Sequence, residues 1–323
     1  MCGIAGLIHR GKTSDIGAEM TSMLQSLRHR GPDSTGFALY GGAGDDTGSN
    51  QVNQNQANQY VMRFKVAEQE DMNKSLDILD RVTERREVVD RRLEKLGVKM
   101  IEKEQATEYA HRYTFAYDGD MRRLADQVEA APHAEILSIG RALELIKDLG
   151  DANTVSEQYD LSGFIGTHGI GHTRMATESD VDIRSAHPYW AYPFNDVAVV
   201  HNGQLTNYWT FRREMERHGH RFMSNCDSEL IAVYIADRID RGDDLEAAMN
   251  RSVEELDGVF TYLVATGEQL GMAKDVMAAK PMVLYESDDF IGLASEEVAI
   301  RSIFPNEIET WDPYEGEVKV WRA

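Results

Sequence analysis

A cysteine follows the initiator methionine directly, at position 2. Small second residues generally permit removal of Met1, and the new terminus then carries a thiol and an α-amine on one residue. A free α-amine titrates at about pH 7.7–8.0, so it works as a base at neutral pH. Cys2 is thus a single-residue form of the nucleophile–base pair, although a buried structural cysteine would read the same. Three further constellations can do chemistry. In Gly171-His172-Thr173-Arg174-Met175-Ala176-Thr177, Arg174 offers a planar fork for a carboxylate and Thr177 a hydroxyl near it; alone, an arginine at a strand end is also an ordinary surface residue. In His201-Asn202-Gly203, a side-chain amide and a glycine N–H can donate to one oxyanion, as acyl transfer requires; Asn-Gly is equally a common short turn. In Asn225-Cys226-Asp227-Ser228-Glu229, Asp227 can cap a helix or pair with an ammonium group. Cys226 reads as a small core residue whose acidic neighbours raise its thiol pKa.

The elements that must position these residues are partly legible. Gly3 to Ile8 is an apolar run that predicts a short buried strand. Ile16, Met20, Met23, Leu24 and Leu27 recur at helical spacing within Asp15–Leu27. Arg28 to Gly36 is dense in turn formers and precedes a strand at Phe37–Tyr40, while Gly41–Gln59 reads as a mobile loop or hairpin tip. From Asp71 to His111, Leu76, Leu79, Val82, Val89, Leu93 and Leu96 predict a helix or helical pair broken near Gly97. A second helical patch is expected over Ala134–Leu149, ending at Gly150. Residues 45–155 are therefore expected to form a largely helical insertion. Strand signals return at Phe164–Thr173, Val197–His201, Val259–Ala265, Met282–Tyr285 and Phe290–Ala294, with helices at Asp227–Arg241 and Leu245–Leu256. The pattern indicates a layered α/β or α+β fold on a largely antiparallel sheet.

Composition narrows the function classes. In 323 residues, 34 Lys and Arg oppose 55 Asp and Glu, a net charge of −21, which argues against nucleic acid or an anionic membrane as partner. Two cysteines supply no disulfide framework and fit a reducing compartment. No run approaches a membrane span, and the first apolar run ends at His9-Arg10, too soon for a signal peptide, so a cytoplasmic protein is expected. His168 and His172, four apart on a predicted strand, would not converge on a metal. The chain has no phosphate-binding loop, dinucleotide fingerprint or cysteine cluster.

Taken in order, Cys2, Arg30-Gly31-Pro32-Asp33-Ser34-Thr35-Gly36, the His172–Thr177 segment, His201-Asn202-Gly203 and Cys226-Asp227-Ser228-Glu229 resemble the class II glutamine amidotransferases, whose glutaminase domain belongs to the N-terminal nucleophile (Ntn) hydrolases. The resemblance covers residues 1–40 and 134–304. With Ala186-His187-Pro188 added, it is most similar to the stand-alone glutaminase subunits of glutamate synthase-like and N-methylglutamate synthase-like systems. It implies an α+β fold: one domain over residues 1–323, a four-layer αββα sandwich of two antiparallel sheets, carrying the 45–155 insertion. It implies Cys2 as nucleophile, Asn202 and Gly203 as oxyanion hole, Arg174 with Thr177 on the α-carboxylate of L-glutamine and Asp227 on its α-ammonium. Arg30, Gly31, Asp33 and Ser34 resemble the loop that closes over bound glutamine. Met175 stands where several members carry an aromatic residue, and Glu178 where some carry histidine. No cofactor is expected in this chain, since no motif for an acceptor reaction is present. The implied partner is a flavin-dependent glutamate synthase-like subunit, with FMN and iron–sulfur clusters on that side; a homo-oligomer is left open. The alternatives are the glutaminase component of a nucleotide- or sugar-aminating enzyme, or a non-catalytic glutamine-sensing subunit. Cys2, Asn202 and Gly203 speak against the last, since binding needs only Arg174 and Asp227.

Overall fold

The computed structural model describes residues 2–41, 58–67, 78–175, 183–304 and 306–323. The chain opens with strand β1 (Gly3–His9), buried along its whole length, as the apolar run requires. Helix α1 (Ile16–Ser26) follows, capped by Asp15, whose carboxylate accepts from the Ala18 N–H. A 3₁₀ turn at Arg28–Arg30 leads into β2 (Ser34–Tyr40). Next come β3 (Gln59–Lys65), α2 (Ile78–Lys95), β4 (Lys99–Gln105), β5 (Ala110–Ala116), α3 (Met121–Glu129), β6 (Glu135–Gly140), β7 (Leu143–Leu149) and α4 (Ala152–Gln158). The remainder is β8 (His168–Arg174), β9 (Tyr189–Trp190), β10 (Ala198–Leu205), α5 (Tyr208–Arg217), α6 (Asp227–Asp240), α7 (Leu245–Glu255), β11 (Gly258–Ala265), β12 (Gln269–Lys274), β13 (Val283–Glu286), β14 (Phe290–Ala294), α8 (Glu297–Arg301) and β15 (Val318–Arg322).

Two antiparallel sheets form the body. One has the order β13-β14-β1-β8-β2-β7, the other β15-β12-β11-β10-β9. Their inner faces share a core that includes Ile4, Ile8, Ala38, Ile170, Val200, Leu263, Met272 and Leu293. Helices α1, α4 and α8 cover the outer face of the first sheet through Met20, Leu24, Val155 and Ile300. Helices α5, α6 and α7 cover the second through Met215, Ile231, Ile235 and Met249. This is the expected α+β layering of antiparallel sheets between helices. Strands that alternate poorly in sequence are those buried on both faces, which is why β1 and β14 read as continuous apolar runs.

The insertion differs from the expectation of a largely helical segment. It holds a third antiparallel sheet, β4-β5-β3-β6, packed on α2 and α3 through Phe64, Tyr113, Phe115, Val89, Leu93, Leu124 and Val128. The predicted helix after Asp71 ends at Lys95, and Gly97, at φ +77°, turns the chain into the β4–β5 hairpin. The patch Ala134–Leu149 is two strands, not a helix. Its apolar residues satisfy both periods, and the deciding feature is remote: Asp196 accepts the N–H groups of Arg141, Ala142 and Leu143, each at 2.8 Å, and fixes the turn between β6 and β7. Since β7 pairs with β2, it also belongs to the first body sheet, so the insertion ends before it. Most of the loop expected at Gly41–Gln59 lies outside the described residues.

Candidate active site

Cys2 stands at the head of β1, a strand paired with β14 on one side and β8 on the other. Its carbonyl accepts two hydrogen bonds, from Asn202 Nδ2 at 3.0 Å and from Arg30 Nε at 3.0 Å. Its thiol points to the carbonyl of Met175, with Sγ 4.0 Å from that oxygen. Asn202 arrives on β10 in the facing sheet, so the meeting of sheets brings residue 2 to residue 202. The following residue, Gly203, has φ +145°, and a Cβ there would stand 2.1 Å from the Val259 carbonyl oxygen; only glycine fits.

Arg174 ends β8, next to β1. The Arg30–Ser34 segment braces it: Asp33 N–H donates to the Arg174 carbonyl at 3.1 Å, and Ser34 faces Arg174 in the β2–β8 ladder. Gly31 passes so close that a Cβ would lie 2.4 Å from the Arg174 carbonyl carbon.

Asp227 is the first residue of α6 and does not cap it; the N-cap is Cys226, with no side-chain capping bond. Instead Asp227 Oδ2 accepts from the Leu205 N–H at 2.9 Å, and Oδ1 lies 3.5 Å from His201 Nδ1. Burial pushes this carboxyl up, but His201 and the Leu205 N–H outweigh it and hold it below the ordinary carboxylate value. Behind it runs a polar chain. Ser228 Oγ lies 2.9 Å from His201 Nδ1 and 3.0 Å from His187 Nε2, and the His187 and His172 rings meet at 4.1 Å. Burial, reinforced by His201 and Arg174, takes His172 down to about 3, and burial with the neighbouring cations takes His187 well below its ordinary value. Both imidazoles are therefore neutral at pH 7. Among the described residues, no three His, Cys, Asp or Glu side chains group to hold a metal ion.

Cys2, Arg174, Asn202, Gly203 and Asp227 line one cavity of about 440 Å³, together with His172, Met175, His187, His201, Tyr208, Asn225 and Cys226. Thus five of the residues singled out in sequence converge from both sheets and α6. Thr177 and Glu178 lie outside the described residues. Arg30, Gly31, Asp33 and Ser34 stand outside the cavity lining and support Cys2 and Arg174 from beside it. Cys226 packs against the core under the second sheet, as expected, and also lines the cavity, with its thiol pKa raised by burial and by Asp227. Sequence reasoning gave no role to His187, Ser228 or Tyr208, although the first stands in Ala186-His187-Pro188 and the second in Cys226-Asp227-Ser228-Glu229. In chemical terms the cavity presents a thiol, a cation, a carboxylate held anionic, and an amide donor.

Residues 172–302 match the family described as "Glutamine amidotransferase domain". Over 323 residues, covering 99% of each chain, the sequence is 38% identical to a protein of Methanothermobacter thermautotrophicus named as a glutamine amidotransferase. It is 31% identical to the "Glutamine amidotransferase-like protein GlxB" of Rhizobium meliloti, over 99% of this chain and 98% of that one. The fold is similar to that of the glutamine phosphoribosylpyrophosphate amidotransferase from B. subtilis, with TM-score 0.58 and 16% identity, over 99% of this chain and 47% of that one. No helix among the described residues is long and apolar enough to cross a membrane. Full-length similarity, the fold and a cavity with Cys2 at the head of a central strand agree: this chain belongs to the glutamine amidotransferases.

Proposed function

We propose that this chain is a glutaminase subunit: it hydrolyses L-glutamine to glutamate and ammonia at Cys2 and passes the ammonia to a separate subunit. The observation that carries the reading is the convergence of Cys2, Asn202, Arg174 and Asp227 on one cavity. Glutamine has a carboxylate, an ammonium group and an amide carbonyl, and the cavity offers a partner to each. Arg174 binds the α-carboxylate, with Thr177 assisting, and Asp227, kept anionic, binds the α-ammonium.

Once Met1 is removed, the Cys2 α-amine takes the thiol proton and Sγ attacks the side-chain amide carbon. The oxyanion receives hydrogen bonds from the Gly203 N–H and from Asn202 Nδ2, whose amide has a second N–H beyond the one given to the Cys2 carbonyl. The protonated amine hands its proton to the departing ammonia, leaving a γ-glutamyl thioester. Water, deprotonated by the same amine, then releases glutamate and the thiol.

The acceptor reaction belongs to a partner. A flavin-dependent glutamate synthase-like subunit fits, with FMN and iron–sulfur clusters on that side, and the resemblance around His172–Thr177 and Ala186-His187-Pro188 supports it. A cytoplasmic location accords with the acidic, cysteine-poor composition. The test is ammonia release from glutamine by the purified chain, with intact mass reporting loss of Met1. Turnover that survives Cys2→Ala overturns the mechanism. Failure of a flavoprotein synthase subunit to copurify and accept the ammonia overturns the partner assignment alone.

A further inference from the structure

The catalytic account uses Arg30 only as part of a glutamine loop, yet its side chain is turned away from the cavity and is almost buried, at 9% exposure. Nε donates to the Cys2 carbonyl at 3.0 Å, and Nη1 donates to Glu296 Oε1 at 2.5 Å. Glu296 also sits 3.0 Å from His29 Nε2. Burial would push the Glu296 carboxyl up, but Arg30 and His29 hold it below its ordinary value, so it is an anion at working pH. Glu296 is placed by its neighbour. Ser295 Oγ accepts the Ile4 N–H and the Ser295 N–H donates to the Ile4 carbonyl, both at 2.9 Å. The segment after β14 thus clasps the first residues of β1, and Glu296 extends that clasp to the nucleophile through Arg30.

We infer that Glu296 and Arg30 form a positioning pair, in which Arg30 clamps the carbonyl of the nucleophilic residue and Glu296 both aims the guanidinium and cancels its charge beside Cys2. The inference rests on the glutaminase reading. A bare guanidinium hydrogen-bonded to residue 2 would disfavour the protonated α-amine and favour the thiolate; a bare carboxylate would do the reverse. The other charged or titratable groups lining the cavity with Cys2 are His172 and Arg174 from β8, His201 from β10, His187 from the segment before β9, Tyr208 from α5, and Cys226 and Asp227 at the head of α6. None of these is altered by changing Glu296.

The test compares Glu296→Gln, which keeps a hydrogen-bond acceptor for Arg30 and removes the charge, with Arg30→Met, which removes the cation and leaves the carboxylate. Glu296→Gln is expected to move the acid limb of the kcat/KM–pH profile down by about half a unit to one unit, and to speed iodoacetamide alkylation of Cys2 at pH 6 by about three- to tenfold. Arg30→Met is expected to move the limb up, slow the alkylation, and lower kcat more than it changes KM. Shifts of opposite sign support the pair, because simple loosening of the fold would move both variants the same way. Shifts of the same sign, or no shift, overturn it. If Arg30→Met does not fold, Glu296→Lys replaces it and must move the limb further down than Glu296→Gln; anything else overturns the pair. Alkylation of Cys2, read by peptide mass spectrometry, needs no turnover. Absent glutaminase activity in the wild type would therefore count against the function while the pair is still tested.

Discussion

At residue scale, one amide proton of Asn202 goes to the Cys2 carbonyl, and in the proposed mechanism the other serves the oxyanion. Asn202→Ala removes both interactions, and the loss of one oxyanion donor alone costs about 3–4 kcal/mol of activation energy. The expected result is a kcat about 100- to 1,000-fold lower with the fold intact, read by steady-state kinetics and circular dichroism. Asp227→Asn acts on a different quantity. In the proposed binding mode it removes the anion that faces the α-ammonium in both ground and transition states, so KM for glutamine should rise at least tenfold while kcat changes less. A fall in kcat at constant KM would reassign Asp227 to the chemistry. Residue types carried most of this site in the sequence, because thiol, guanidinium, amide-glycine and carboxylate each name their own chemistry. Glu296 was silent there. An exposed-looking glutamate has no local mark, and its partner Arg30 is 266 positions away.

The elements show where local pattern stops being informative. Helices α1, α6 and α7 and strands β11 and β14 could be read to within a residue or two of their ends, since each is a helical-period pattern or a continuous apolar run bounded by cap or turn residues. The β6–β7 hairpin could not, because its turn is fixed by Asp196 from another part of the chain. The charged face of the insertion was equally opaque. Arg63 and Lys65 look solvent-facing in sequence, yet both are buried, and Glu144 of β7 is held at 2.6 Å by Arg63 Nη2 and at 2.9 Å by Arg112 Nη2. Burial works against this carboxylate, but the two guanidinium groups dominate and keep its pKa low. The insertion is therefore joined to the body sheet partly by ion pairs. Glu144→Ala takes this anion from the buried Arg63, while Arg112 keeps Glu104 and Glu102, and should cost about 3–5 kcal/mol in urea unfolding. A loss under 1 kcal/mol would show that the junction tolerates water.

For the whole molecule, the buried histidines set an acid limit. Burial takes His168 to about 4 and His172 to about 3, and His187 well below its ordinary value; burial and Arg86 take His111 to about 4. Between the unfolded value of about 6.5 and these native values, the unfolded chain binds the extra protons, so stability falls as pH drops through this range. Glu129, raised to about 7, and Glu229, also raised, oppose the trend, since burial makes the native state hold their protons longer. Four groups outweigh two, and each net proton is worth about 1.4 kcal/mol per pH unit. The melting temperature should therefore fall steadily from pH 6.5 to 5; a flat profile would mean that those imidazoles are hydrated. At this scale the αββα layering was legible through the resemblance, whereas periodicity alone gave only a layered antiparallel fold. Neither indicated that β1 lies between β14 and β8, away from both edges of its sheet. That placement has a consequence for amide exchange. The strand-paired amides within Ala5–Ile8 are released by taking the six-stranded sheet apart, so their deuterium uptake should track global unfolding. The Cys2 sulfur, reachable through its cavity, is then mounted next to one of the slowest-exchanging stretches of backbone, so its position should hold until the whole protein opens.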